Sequence, residues 1–150
     1  MPFDVTAETT IPAPPSAVAA IQFDPTRDSQ WIGGVDRVEF ESSQPLAIGS
    51  RVRRIGGFLG RRIEWLMRVD AYEPDRLVAM KALESPFPMA VDYRLEPLDG
   101  GRATRASIRI RGSGRGMYGL PGPLLGPMVR RSVGSDLQRL KRLVEAERRR

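Results

Sequence analysis

The 150-residue sequence contains no cysteine, no histidine and no asparagine. Without cysteine there are no disulfides, no thiolate nucleophile and no thiolate zinc site. Without histidine the chain lacks the commonest general base and the commonest transition-metal ligand. It also lacks any Ser-His-Asp or Cys-His arrangement. Without asparagine there is no N-glycosylation sequon. No metal site and no cofactor are expected. Long apolar runs are missing too: none reaches the roughly 18 residues that a membrane-spanning helix needs. The N-terminus carries Asp4 and Glu8 and no apolar core of a signal peptide. A soluble cytoplasmic protein without integral membrane association is expected.

Lysine is scarce, occurring only at 81 and 141, so the net charge of +6 is almost all arginine. A basic chain raises the question of nucleic acid. Here the arginines are spread over many segments instead of forming one block. An arginine bias also follows from GC-rich coding. The closing Glu147-Arg-Arg-Arg150 reads as a solvated helix end, where cations suit the dipole. No nucleic-acid partner is expected.

What the sequence does contain is alternation. Residues 3–11 alternate apolar and polar, the pattern of a half-buried strand. Pro12-Ala-Pro-Pro-Ser16 stops it, and Ser16 is placed to cap a short helix through Ile21, with Val18 and Ile21 inward. Asp24-Pro25 closes that helix, and a further helical turn is expected over 27–32. Strands follow near Val38 and Phe40, over 49–57, over 60–73, over 76–84, over 89–95 and over 102–111, punctuated by Gly, Pro and Asp. In the third of these, Ile63, Trp65, Met67, Val69 and Ala71 form an apolar face. Arg62, Glu64, Leu66, Arg68, Asp70 and Tyr72 form a wet one. After the glycine-rich 112–119 the period changes. Leu125, Val129, Val133, Leu137, Leu140 and Val144 recur at helical spacing over 123–147, with Arg130, Asp136, Arg139, Arg142 and Glu145 on the other side. At this length one domain over 1–150 is expected, burying roughly 68–70% of its unfolded surface. Strands joined by short turns make an antiparallel meander, and its apolar face needs a cover. The long C-terminal helix is the large apolar object available. The fold class is α+β: a curved antiparallel sheet of about seven strands wrapped around that helix, with two short helices after the first strand.

The order resembles the polyketide cyclase/dehydrase-like proteins of the START / Bet v 1-like (SRPBCC) superfamily, which have a helix-grip fold. The landmarks are the first strand ending Ile11-Pro-Ala-Pro-Pro-Ser16-Ala-Val and Trp31 in the second short helix. Then come Gly49-Ser-Arg-Val-Arg53, Gly60-Arg-Arg-Ile-Glu64, Val69-Asp-Ala-Tyr-Glu-Pro74, Tyr93-Arg-Leu-Glu-Pro97, Gly101-Arg-Ala-Thr104 and Leu137-Gln-Arg-Leu140-Lys. The resemblance covers nearly the whole chain. It implies a cavity between sheet and helix for an apolar small molecule such as a lipid, sterol, polyketide or quinone. It does not choose between carriers and enzymes.

Candidate ligand-binding residues follow from the inward phase of the strands and helix. They are Val52, Trp65, Met67, Met80, Met89, Val91, Tyr93, Ala106, Ile108, Leu125, Met128 and Val129, with the phase of Met80's strand ambiguous. The plainer alternative is that these residues fill a dense core. Methionines suit an adaptable wall, buried Trp and Tyr need partners for their polar tips, and Gly126, Ser132 and Gly134 on the facing helix leave room. Arg54 shares a phase with Val52. It is either inward, where it needs a carboxylate or a ligand anion, or an exposed strand end. Tyr93 is either a hydrogen-bonding or acidic group toward a ligand or a structural cap. Arg54 and Tyr93 are the candidates for catalysis.

Asp92, Glu64 and Asp70 fall on the wet phase, so no paired-carboxylate site is expected. The run Gly112-Ser-Gly114-Arg-Gly116-Met117 lacks the glycine that a dinucleotide loop needs at its sixth position. It reads instead as a connector that, with 120–124, could gate the cavity mouth. Phe87, between Pro86 and Pro88, is expected to lean over that opening. The expected function is binding of a hydrophobic small molecule. The alternative is an aromatase/cyclase-like enzyme acting in the same cavity. Monomer and homodimer both remain open.

Overall fold

In the computed structural model, residues 2–40, 46–58, 60–85, 88–113 and 122–149 are described. The chain begins with strand β1 (Pro2–Ile11), helix α1 (Pro15–Gln22) and a 3₁₀ helix (Pro25–Gln30). Six strands follow: β2 (Val35–Phe40), β3 (Arg51–Phe58), β4 (Arg61–Glu73), β5 (Leu77–Glu84), β6 (Met89–Leu98) and β7 (Ala103–Ser113). The helix α2 (Gly122–Arg148) comes last. The strands form one antiparallel, curved sheet in the order β1-β7-β6-β5-β4-β3-β2. It is a six-strand meander with β1 laid beside β7, Val5 opposite Ile110 and Ala7 opposite Ile108.

The short helices differ in detail from the sequence expectation. α1 starts at Pro15, with Pro14 at the N-cap position and no side-chain cap, so Ser16 does not cap it. Proline at the first helical position loses no hydrogen bond there, which makes the cap dispensable. The second segment is a 3₁₀ helix that begins two residues early, because Asp24 accepts a hydrogen bond from the Thr26 amide and serves as its cap. Trp31 lies just past its end.

β4 departs from strict alternation. Its pairing with β5 shifts register between Leu66 and Met67 and again between Val69 and Ala71. Leu66, expected on the wet face, is only 1% exposed. It lies in register between Arg53 and Glu84, which pair with each other at 3.3 Å and cover it. Tyr72, also assigned to the wet face, is half-buried, with its ring edge-to-face on Phe23. Asp92 is buried as well, on the outer face beside Arg111 and in register with Arg109, whose long apolar stems shield it.

α2 buries Leu125, Val129, Val133, Leu137, Leu140 and Val144 in one cluster with the inner face of the sheet and with Val18, Ile21 and Trp31. Its C-terminal end is tied to the 3₁₀ helix by an Arg27–Glu147 ion pair. Backbones meet closely at β2 and β3. A Cβ on Gly56 would lie 1.7 Å from the Gly34 carbonyl oxygen, so only glycine permits this approach.

Candidate functional site: a hollow under the long helix

Three walls enclose a cavity of about 150 Å³. β3 and β4 contribute Arg54 and Trp65, which face each other across the strands. β6 and β7 contribute Met89, Val91, Tyr93, Ile108 and Ile110, with Val91 opposite Ile110 and Tyr93 opposite Ile108. α2 closes the space with Val129, Ser132, Val133 and Asp136. This spacing puts all four on one helical face. Trp31, Ile32, Gly34 and Val35 complete the rim.

The cavity is apolar except at one end. There Arg54, 7% exposed, donates from Nε to Asp28 Oδ2 at 2.7 Å and from Nη2 to the Tyr93 hydroxyl at 3.3 Å. Met80 Sδ lies 4.0 Å from the same Nη2. Trp31 packs edge-to-face on Tyr93, with ring centroids 5.7 Å apart. Asp28 is fully buried, and its other oxygen Oδ1 has no hydrogen-bond partner among the described residues; the same holds for Trp31 Nε1 and for both polar atoms of the Gln22 amide.

Burial pushes Asp28 up to about 6, although the Arg54 charge and hydrogen bond pull it down. Burial also pushes Tyr93 up to about 12, outweighing the opposing pull of Arg54. Tyr93 is therefore a neutral hydrogen-bond donor at physiological pH, not a base. For Arg54, burial acts to lower the pKa, but Asp28 and Tyr93 together outweigh it and the net shift is upward, so the guanidinium stays charged.

A second polar group holds the rim. Asp136 Oδ1 accepts from the Gly33 amide at 2.9 Å and from Arg139 Nη1 at 2.6 Å. Burial raises its pKa against both of these contacts. This clasp binds the segment carrying Trp31 to α2.

Of the residues the sequence pointed to, Arg54, Trp65, Met89, Val91, Tyr93, Ile108 and Val129 line the hollow. Val52, Met67, Met80, Ala106 and Leu125 are buried in the core but do not line it. Val52 and Met67 face each other across β3 and β4, where side chains fill the space. Met128 is half-buried and away from the lining. Phe87 and residues 114–121, most of the expected gate over 112–124, lie outside the described residues.

Arg54 is inward, and its counter-charge Asp28 went unrecognised in the sequence. So did Asp136, assigned there to the solvated side of the helix but buried at the cavity rim. A signal for Asp136 was present: it falls three residues after Val133 and seven after Val129, on the apolar stripe. Among the described residues no three metal-ligating side chains converge. No described helix is long and apolar enough to cross a membrane.

A curved seven-strand sheet gripping one long C-terminal helix, with short helices after the first strand, is the architecture of START / Bet v 1-like proteins. The chain belongs to the family described as polyketide cyclase / dehydrase and lipid transport, which it matches over residues 2–145. Solved structures share the fold. The Zhui aromatase/cyclase from Streptomyces sp. R1128 is 22% identical, with a TM-score of 0.79, covering 97% of this chain and 94% of its own. A START superfamily protein from Mycobacterium smegmatis is 14% identical, with a TM-score of 0.82, covering 95% and 97%. TTHA0849 from Thermus thermophilus is 21% identical, with a TM-score of 0.80, covering 96% and 98%. No curated protein matches the sequence.

Proposed function

We propose that the chain, as one domain over residues 1–150, binds a hydrophobic small molecule in the hollow between sheet and α2. The observation that carries this reading is a cavity of about 150 Å³ with mostly apolar walls, the hydrogen-bonded Arg54 and Tyr93 at one end and Asp136 at its rim. An apolar cavity of about this size in another protein binds benzene, so the enclosed part of the ligand is about one ring. Affinity comes from apolar burial, near 25 cal/mol per Å² before the cost of association. Orientation comes from Arg54 and Tyr93: a ligand oxygen at that end accepts from the Tyr93 hydroxyl, whose own oxygen accepts from Arg54. The test is native mass spectrometry of protein purified from cells that normally make it. A retained apolar compound of defined mass supports the reading. A bare chain that also fails to bind ring-sized aromatics in vitro refutes it.

The second reading is an aromatase/cyclase-like enzyme, favoured by the same Arg54–Tyr93 pair facing the cavity. In this reading Arg54 polarises a carbonyl and the neutral Tyr93 donates a hydrogen bond to the developing oxyanion. Turnover of a poly-β-ketone surrogate that is lost in Tyr93→Phe while ligand binding persists would distinguish catalysis from carriage.

A further inference from the structure

We propose that Asp28 sets the charge preference of the hollow: by neutralising Arg54 from outside the lining, it makes the cavity take an uncharged ring-bearing ligand with a carbonyl or hydroxyl oxygen and turn away a carboxylate of the same shape. The proposal rests on the reading that the hollow binds a hydrophobic small molecule, and names the ligand class more closely. Asp28 does not line the cavity, so it acts on specificity through Arg54.

Among the described residues, the charged side chains of the lining are Arg54 and Asp136. A guanidinium beside an apolar space ordinarily draws an anion. Here the counter-charge is built in. Asp28 Oδ2 accepts from Arg54 Nε at 2.7 Å, and the two residues are 0% and 7% exposed. Nη2 donates to the Tyr93 hydroxyl, and Nη1 makes no hydrogen bond among the described residues. Asp136, at the rim, has Arg139 at 2.6 Å. Each lining charge is thus matched by an opposite one, and no net positive charge is left for a ligand.

A ligand carboxylate at this end would share one guanidinium with Asp28, and Asp136 would add a second like charge. Burying a carboxylate without a counter-charge of its own is costly, and like charges in one site disfavour each other. A neutral oxygen meets neither penalty and can accept from the Tyr93 hydroxyl or from Arg54 Nη1. Stability alone does not account for the Asp28–Arg54 pair, because an apolar pair of similar volume generally stabilises a core as well or better.

The test titrates the full chain with three one-ring probes while following NMR resonances of the lining. Phenol reports occupancy of the hollow; benzamide and benzoate are a neutral and an anionic probe of one shape. At about pH 7.5 Asp28, pushed up to about 6, is ionised. Wild type is expected to bind benzamide at least about tenfold more tightly than benzoate. Asp28→Asn leaves Arg54 charged and unmatched, and the ratio of the two Kd values should move at least about fivefold toward benzoate. The ratio is the readout because a merely structural loss weakens both probes alike. Asp28→Asn also strands a buried guanidinium at a cost in stability, so a second measurement uses wild type at about pH 5, where Asp28 takes up a proton. There the ratio should again move toward benzoate. The other titratable groups acting on the pair are Asp24 at the cap of the same 3₁₀ helix, Tyr93 from β6 and Asp136 from α2. The double variant Arg54→Met/Asp28→Asn keeps all three but has no arginine to free, so its ratio should move less than that of wild type. Equal affinity of wild type for benzamide and benzoate at about pH 7.5 would overturn the proposal. So would a ratio that stays in place in folded Asp28→Asn or in wild type at about pH 5, or one that moves as far in the double variant. In each of these cases saturable phenol shifts leave the binding reading standing. No saturable shift with any of the three probes refutes that reading and the proposal together.

Discussion

Replacing Arg54 with methionine isolates the cost of stranding Asp28, the carboxylate buried beside it. Met fills much of the arginine stem's space but leaves Asp28 without its partner. Asp28 is 0% exposed, accepts from Arg54 Nε, and already has one oxygen with no hydrogen-bond partner among the described residues. Breaking a buried pair from one side costs about 3–5 kcal/mol, because the remaining charge is uncompensated. In a chain of this size that lowers Tm by roughly 10 °C.

The assay is reversible urea unfolding followed by tryptophan fluorescence at neutral pH, with Arg109→Met as the reference. Arg109 pairs with Asp4 on the surface, where solvent screens the pair, so losing it should cost little. The double variant Arg54→Met/Asp28→Asn removes the stranded charge and should recover at least about half of the loss. Acid should help the single variant too, since an unpartnered Asp28 protonates more readily and sheds its charge. A loss for Arg54→Met as small as for Arg109→Met, or no recovery in the double variant, would refute the reasoning.

Three further outcomes follow from the same geometry. Burial raises the Asp28 pKa from 3.8 to about 6, so the folded state holds this proton more tightly than the unfolded chain does. That stabilisation is fully present below about pH 4 and is lost as pH rises through about 6. The stability of wild type minus that of Asp28→Asn should therefore fall by about 2 kcal/mol between about pH 4 and pH 7 in chemical denaturation, and a flat difference contradicts it. Gly56→Ala drives a methyl group into the Gly34 carbonyl and should cost about 3 kcal/mol or more, read as a large drop in urea midpoint; near-neutrality would show that β2 is free to move away. Val133→Phe puts a ring into the hollow and should weaken binding of small aromatics at least about tenfold while the protein stays folded by circular dichroism; unchanged binding would place the ligand elsewhere.

Strand alternation and the helical stripe made the sheet, its cover and much of the inner wall legible in the sequence. The phase of an entire strand follows from one or two residues when a period of two holds, which is why Trp65, Val91, Tyr93 and Ile108 could be placed inward. Leu66 keeps its outward phase, and its burial was missed because its cover comes from Arg53 and Glu84 on the two neighbouring strands, a contact that alternation within one strand does not reveal. Asp28 was hidden for a different reason. Its partner is 26 residues away and its own segment is a 3₁₀ turn too short to show a periodicity. Asp136 was misplaced because its charge outweighed its position on the apolar stripe, although a backbone amide from the 31–34 segment and Arg139 compensate that burial.

The hollow beneath α2 is best tested by titrating the wild-type chain and Val133→Phe with phenol, a ring-sized aromatic bearing one hydroxyl, while following assigned NMR resonances. Saturable shifts at Trp65, Tyr93 and Ile108 in wild type, absent from Val133→Phe, are the predicted result. An unresponsive cavity lining up to the solubility limit of phenol would contradict the account.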